Sequence, residues 1–124
     1  NFNFYATKEL NKYINKLLLN ISTKPVALFA YNKPDTTKKV LRAISKVKPR
    51  KLYLVLDGPK GIEEKKVCAQ TKQILNDISW DCKVEKLYSN ENLGLKKRFK
   101  SGLDTIFSQE ESLIILEDDT LQTV

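Results

Sequence analysis

"KPVALFAYNKPD", residues 24–35, decides the fold. After Pro25 the chain runs uncharged and mostly apolar from Val26 to Tyr31, then meets Asn32, Lys33, Pro34 and Asp35. A short apolar run closed by Asn and Pro is the signature of a buried strand that ends in a turn. The pattern returns in "KLYLVLDGPK", residues 51–60, where Leu52 to Leu56 stops at Asp57, Gly58 and Pro59. It returns again in "SLIILEDD", residues 112–119, where Leu113 to Leu116 runs into three carboxylates. A more polar version, "DCKVEKLYSN" at residues 81–90, suits a sheet edge or a strand with one exposed face.

Helical spacing fills the intervals. Val40, Leu41, Ile44 and Val47 make one apolar stripe, with Asp35 or Thr36 expected to cap it and Pro49 to stop it. Val67, Thr71, Ile74, Leu75 and Ile78 make a second. A third begins near Gly94 and is expected to face Leu95, Phe99, Leu103, Ile106 and Phe107 inward. Ahead of the first strand, Leu10, Tyr13, Ile14, Leu17, Leu18 and Ile21 predict an amphipathic helix within residues 1–23. The alternation predicts an α/β fold over residues 24–124, a mostly parallel open sheet flanked by helices. Right-handed crossovers bring the C-terminal ends of parallel strands to one edge, where ligands of such sheets bind. Tyr31 and Asn32, Asp57, the segment Asn90 to Gly94, and Glu117 to Asp119 all fall at that edge.

Composition narrows the class. With 124 residues, 41% hydrophobic and 30% charged, the chain fits one small globular domain. Its longest apolar runs fall far short of the roughly 18 residues of a membrane span, so no transmembrane segment is expected. No secretory leader opens it, and the absence of methionine suggests a piece of a longer polypeptide. Cys68 and Cys82 show neither metal-ligand nor disulfide spacing; two inert thiols suit the cytoplasm. The excess of 22 Lys and Arg over 15 Asp and Glu raises the question of a nucleic-acid partner. The lysines are spread along every segment, and the tightest cluster, Lys96, Lys97 and Arg98, has Phe99 beside it but no series of aromatic platforms. Nucleic acid is therefore not the expected partner, and the Asn20 to Ser22 glycosylation triplet is read as chance.

Carboxylates after a buried strand have a chemical use. Mg²⁺ or Mn²⁺ takes oxygen ligands, and one or two carboxylates suffice when a diphosphate and water supply the rest. In extended chain Glu117 and Asp119 point to one side and Asp118 to the other, so one could hold a cation while its neighbour bonds a ribose hydroxyl. The plainer reading is a solvated acidic turn. Likewise Asp57 could serve only its Asp-Gly-Pro turn, and Tyr31 could be a core aromatic at a strand end. Asn92 and Gly94 are read as a turn that starts a helix rather than as ligand contacts. Lys96, Lys97 and Arg98 could offer a phosphate their charge beside the helix's free amides, or simply form a solvated basic face.

Taken in order, "PVALFAYNKPDTTKKVLRAI", "LYLVLDGPK", "ENLGLKKRFKSGL" and "LIILEDD" resemble the nucleotide-binding half of GT-A glycosyltransferases, specifically the inverting group 2-like and N-acetylglucosaminyltransferase I-like enzymes. The resemblance covers about residues 24 to 120. It implies a Rossmann-like half-domain that binds a nucleotide-diphosphate sugar with Mn²⁺ or Mg²⁺, for transfer to an acceptor hydroxyl. It implies that Asp119 binds the metal, that Glu117 and Asp118 lie near the ribose and base, that Asp57 meets the base, and that Tyr31 and Asn32 shape the nucleoside pocket. The basic cluster departs from the family, which often has smaller or less basic residues there.

Inverting transfer also needs a general base, usually a carboxylate, which in the family lies beyond the acidic triplet with the acceptor pocket. The chain has no histidine and no nucleophile elbow or phosphate loop from which another catalytic set could be built. The catalytic residues are therefore unknown, and the piece alone is expected to be inactive. Two other classes compete: a non-catalytic module whose open sheet edge pairs with a second copy, and a basic nucleic-acid binder.

Overall fold

The computed structural model describes residues 24–118. Strands β1 (Val26–Ala30), β2 (Lys51–Leu56), β3 (Lys83–Tyr88) and β4 (Ile114–Glu117) alternate with helices α1 (Pro34–Val47), α2 (Ile62–Leu75) and α3 (Leu95–Phe107). The sheet order is β3-β2-β1-β4 and every pairing is parallel. The α/β fold expected from the sequence is thus the one observed. The amphipathic segment expected within residues 1–23, and Asp119 with the residues after it, lie outside the described residues.

Why β1 and β2 read as unbroken apolar runs follows from their central position. Side chains alternate between the two faces of a strand, and both faces here are covered. Val26, Leu28, Ala30, Leu52, Leu54 and Leu56 pack with Val40, Leu41 and Ile44 of α1 and Leu75 of α2. Their neighbours Ala27, Phe29, Tyr53 and Val55 pack on the opposite face, where Ile106, Phe99 and Leu103 of α3 meet them. Each fully buried Val, Leu or Phe contributes about 1.5–3 kcal/mol of hydrophobic stabilisation, so these two strands hold the sheet. β3 has no fully buried residue and lies at an edge, as its polar sequence suggested.

Helix ends depart from expectation in two places. Neither Asp35 nor Thr36 caps α1: Lys33 is the cap residue with no side-chain bond, and Pro34 opens the helix. Proline's fixed φ and missing N–H suit that first position, which leaves Asp35 in the first turn to oppose the helix dipole. At the other end Lys48 takes a left-handed φ of 55° and Pro49 follows, ending the helix as expected. In α3, Leu95 and Phe107 do not face inward, being 84% and 47% exposed. Leu95 continues the stripe of Phe99, but side chains lean toward the helix N-terminus, and there the sheet beneath has already ended.

Gly102 lets α3 lie close to the sheet. A Cβ there would come within 2.9 Å of Val55 Cγ1 and 3.1 Å of Phe29 Cε2. At the N-terminal edge Tyr53 Oη donates to Glu110 Oε2 at 2.6 Å, and Lys51 Nζ reaches the same oxygen at 2.6 Å. The latch ties the segment after α3 to the start of β2. Both cysteines are free, and burial pushes their thiols up, which fits inert sulfurs. Among the described residues no helix is long and apolar enough to cross a membrane.

Candidate functional site at the C-terminal edge

Parallel pairing aligns the strand ends: Ala30 lies beside Leu56, and Phe29 beside Glu117. The loops leaving β1, β2, β3 and β4 therefore share one rim. A cavity of about 320 Å³ opens there, lined by apolar Phe29, Val55, Leu95 and Phe99 and by polar Tyr31, Asp57, Lys60, Asn92, Arg98, Glu117 and Asp118.

Asp57 stands at the centre of the rim and is only 7% exposed. Its Oδ1 accepts from the backbone N–H of Gly58 at 2.9 Å and of Leu93 at 2.8 Å. Its Oδ2 accepts from Gly94 N–H at 3.0 Å and from Asn92 Nδ2 at 3.2 Å. An ionised carboxylate has about four acceptor sites, and these four donors occupy them. The resemblance implies that Asp57 meets a nucleobase; its oxygens are already engaged in fixing the start of α3 against β2.

Around that brace the loops interlock. Asn92 Nδ2 also donates to Gly58 O at 2.7 Å and to Tyr31 Oη at 3.1 Å. Asn92, taken from sequence as a turn former, is thus also a cross-link and a cavity-lining residue. Gly94 supplies the turn, with a φ of 86° that leads into α3. Gly58 is required for a different reason: a Cβ there would meet Asn90 O and Glu91 backbone atoms at 2.7 Å.

Tyr31 lines the cavity, and its hydroxyl donates to Glu64 Oε1. Burial first, and then this bond to a carboxylate, push the phenol up to about 12. Glu64, in the first turn of α2, also accepts from Asn32 Nδ2 at 2.9 Å and from Lys60 N–H at 2.8 Å. Its carboxyl is held below the usual range, mainly by the Tyr31 hydroxyl and then by the Lys60 amide. Asn32 does not line the cavity; it supports the wall through Glu64. The sequence reading missed Glu64 and Lys60, whose signals were an acidic first-turn residue and a lysine closing the Asp-Gly-Pro turn.

The basic cluster separates into unlike members. Lys96 and Lys97 are exposed and do not line the cavity. Arg98 does line it, with Nη2 donating to Leu87 O of β3 at 2.5 Å and Nη1 to Ser101 Oγ at 3.0 Å. Its Nε is buried and has no hydrogen-bond partner among the described residues. Desolvation lowers the guanidinium's pKa, while the Asp57 charge raises it.

At the end of β4 stand two acids, Glu117 and, just beyond the strand, Asp118. Asp118 N–H donates to Phe29 O at 2.9 Å, and Asp118 Oδ2 accepts from Tyr31 N–H at 3.2 Å. The strand ends at Glu117 and Asp118 is already in a turn, and both residues line the same cavity. Among the described residues no group of three or more His, Cys, Asp or Glu could hold a metal by itself. Glu117 and Asp118 both line the cavity; Asp119, to which the resemblance assigns the metal, lies outside the described residues. Comparison of the chain with protein-family models, with curated proteins and with solved structures gives no match in any of the three.

Proposed function

We propose that this chain is the donor-binding half of a GT-A-type glycosyltransferase, taking a nucleotide-diphosphate sugar into the rim cavity for transfer to an acceptor hydroxyl. The observation that carries it is the convergence of Tyr31, Asp57, Arg98, Glu117 and Asp118, from the C-terminal ends of β1, β2 and β4 and the first turn of α3, on one cavity of about 320 Å³. That volume lies at the lower end of small-ligand sites, and its mixed lining suits a ligand with a planar apolar part and a charged part.

Each part has a counterpart. Tyr31 and its support from Asn32 form the nucleoside wall, and Asp57 holds the loop beside it. Arg98, Lys60 and the first N–H groups of α3 supply positive potential for the diphosphate. Lys96 and Lys97 act at longer range, raising the local concentration of an anion rather than touching it. Glu117 and Asp118 suit a hard cation that draws its remaining ligands from diphosphate and water, with Asp119 added by resemblance. When bound, Mn²⁺ or Mg²⁺ would neutralise charge on the departing diphosphate. None of the described residues is assigned to the acceptor or to the general base.

Calorimetric titration with UDP, GDP, CDP and ADP, with Mn²⁺ and then with chelator, tests the proposal. The expected result is weak, metal-dependent binding of at least one nucleotide, lost in Arg98→Ala. Absence of binding by all four to folded protein overturns it.

A further inference from the structure

Glu64 lies outside the cavity, yet it bonds to both of the loops that build this side of it. It receives the Tyr31 hydroxyl and the Asn32 amide from the loop after β1, and the Lys60 N–H from the loop after β2. Through Tyr31 the chain of bonds continues to Asn92, and from Asn92 to Asp57 and Gly58. Tyr31 is therefore held at its hydroxyl from two sides, as donor to Glu64 and as acceptor from Asn92.

We propose that Glu64 is a positioning residue for this cavity: by holding Tyr31, Asn32 and the Lys60 amide together, it preorganises the wall against which the nucleoside docks. The effect on ligand affinity rests on the nucleotide-binding proposal; the clasp itself does not. Two features of Glu64 set it apart from an ordinary helix-start acid. It satisfies three donors drawn from two loops, whereas an acid that merely complements the helix dipole needs none of them. Its hold on a cavity-lining side chain also restricts motion that a ligand would otherwise have to stop on binding.

Without Glu64, the Tyr31 hydroxyl keeps only its bond from Asn92, and Asn32 and Lys60 N–H turn to water. The rim then remains folded, because Asp57 and Asn92 still brace α3 against β2. Only the Tyr31 wall is released. Removing the Tyr31 hydroxyl instead should release the same wall by the other half of the same bond, so the two changes are not independent.

The test is a double-mutant cycle of Glu64→Ala and Tyr31→Phe read by UDP affinity with Mn²⁺, together with the Tyr31 signal of ¹³Cζ-tyrosine-labelled protein compared between the parent and Glu64→Ala. Circular dichroism checks that each variant is folded. Each single change is expected to weaken UDP about fivefold to tenfold, and the double change no further, while Glu64→Gln, which can still accept the hydroxyl, recovers part of the loss. The Tyr31 phenol, pushed up by burial and by its bond to Glu64, should titrate lower in Glu64→Ala than in the parent. Unchanged affinity, fully additive losses, or a Tyr31 signal that ignores Glu64 would overturn the assignment. Should the parent bind no nucleotide while the Tyr31 signal still shifts in Glu64→Ala, the donor-binding proposal fails and the clasp stands.

Discussion

Asp57, after the last residue of β2, accepts a 3.0 Å hydrogen bond from the backbone N–H of Gly94, the residue that opens α3. A carboxylate buried among main-chain amides stabilises the helix start and fixes the angle at which α3 meets the cavity. Asp57→Ala leaves the Gly58, Leu93 and Gly94 amides and the Asn92 side chain without that partner. The expected cost is about 3 kcal/mol, since hydrogen bonds to a buried charge contribute more than neutral ones. Urea denaturation would measure it, and Asp57→Asn, which retains one acceptor oxygen, should lose less.

The two glycines of the rim should fail for different reasons. Gly58→Ala drives a methyl group into backbone atoms of Asn90 and Glu91 at 2.7 Å, so the segment after β3 must move. Overpacking of that kind costs about 1–3 kcal/mol. Gly94→Ala meets nothing within 4 Å, and its penalty lies wholly in a backbone pair of φ 86° and ψ 153° that is nearly exclusive to glycine. Strain there costs about 1–3 kcal/mol as well. Amide NMR spectra separate the causes: Gly58→Ala should shift Asn90 and Glu91 most, and Gly94→Ala the first turn of α3.

The latch at the other edge gives stability a pH signature. Glu110 has its carboxyl lowered from 4.5, first by Lys51 and then by Tyr53, so its contribution is present above its unfolded value and disappears as pH falls through the lowered one. Lys51 is raised above 10.5, chiefly by Glu110, so its contribution is present below that value and disappears as pH climbs through the raised one. The parent should thus exceed Glu110→Gln in stability by about 1 kcal/mol between roughly pH 5 and 10, with the gap closing at low pH. Thermal unfolding across pH would show it.

Arg98 and the lysines beside it should behave differently toward an anion. Arg98→Ala removes a cavity-lining guanidinium and is expected to weaken nucleotide binding at least tenfold at any ionic strength. Replacing both Lys96 and Lys97 with Ala should weaken it less than about threefold, and that smaller effect should vanish near 0.5 M salt, where the screening length falls below about 5 Å. Titration at two salt concentrations distinguishes them.

Much of the fold was legible because burial on both faces leaves a plain mark. Val26 to Ala30 and Leu52 to Leu56 could hardly be anything but central strands, and the lysines of Lys83 to Tyr88 marked an edge. The rim was legible in outline, since parallel pairing sends Tyr31, Asp57 and Glu117 to one side whatever their side chains do. What periodicity does not encode is the partner. Nothing in the sequence placed Glu64 against Tyr31, 33 positions away, or showed that Asp57 is satisfied by the amides of residues 93 and 94. Leu95 fits the apolar stripe of α3 and is nonetheless exposed, because a helical pattern cannot register where the sheet below it stops.

Paramagnetic broadening by Mn²⁺ in the presence of nucleoside diphosphate, followed residue by residue in amide NMR spectra, tests the central claim most directly. The account predicts early loss of signal at Tyr31, Asn92 to Leu95, Glu117 and Asp118, with Lys51 and Glu110 at the opposite edge staying sharp. Broadening centred on β3 or on the Lys51–Glu110 edge, or no nucleotide-dependent broadening at all, would contradict it.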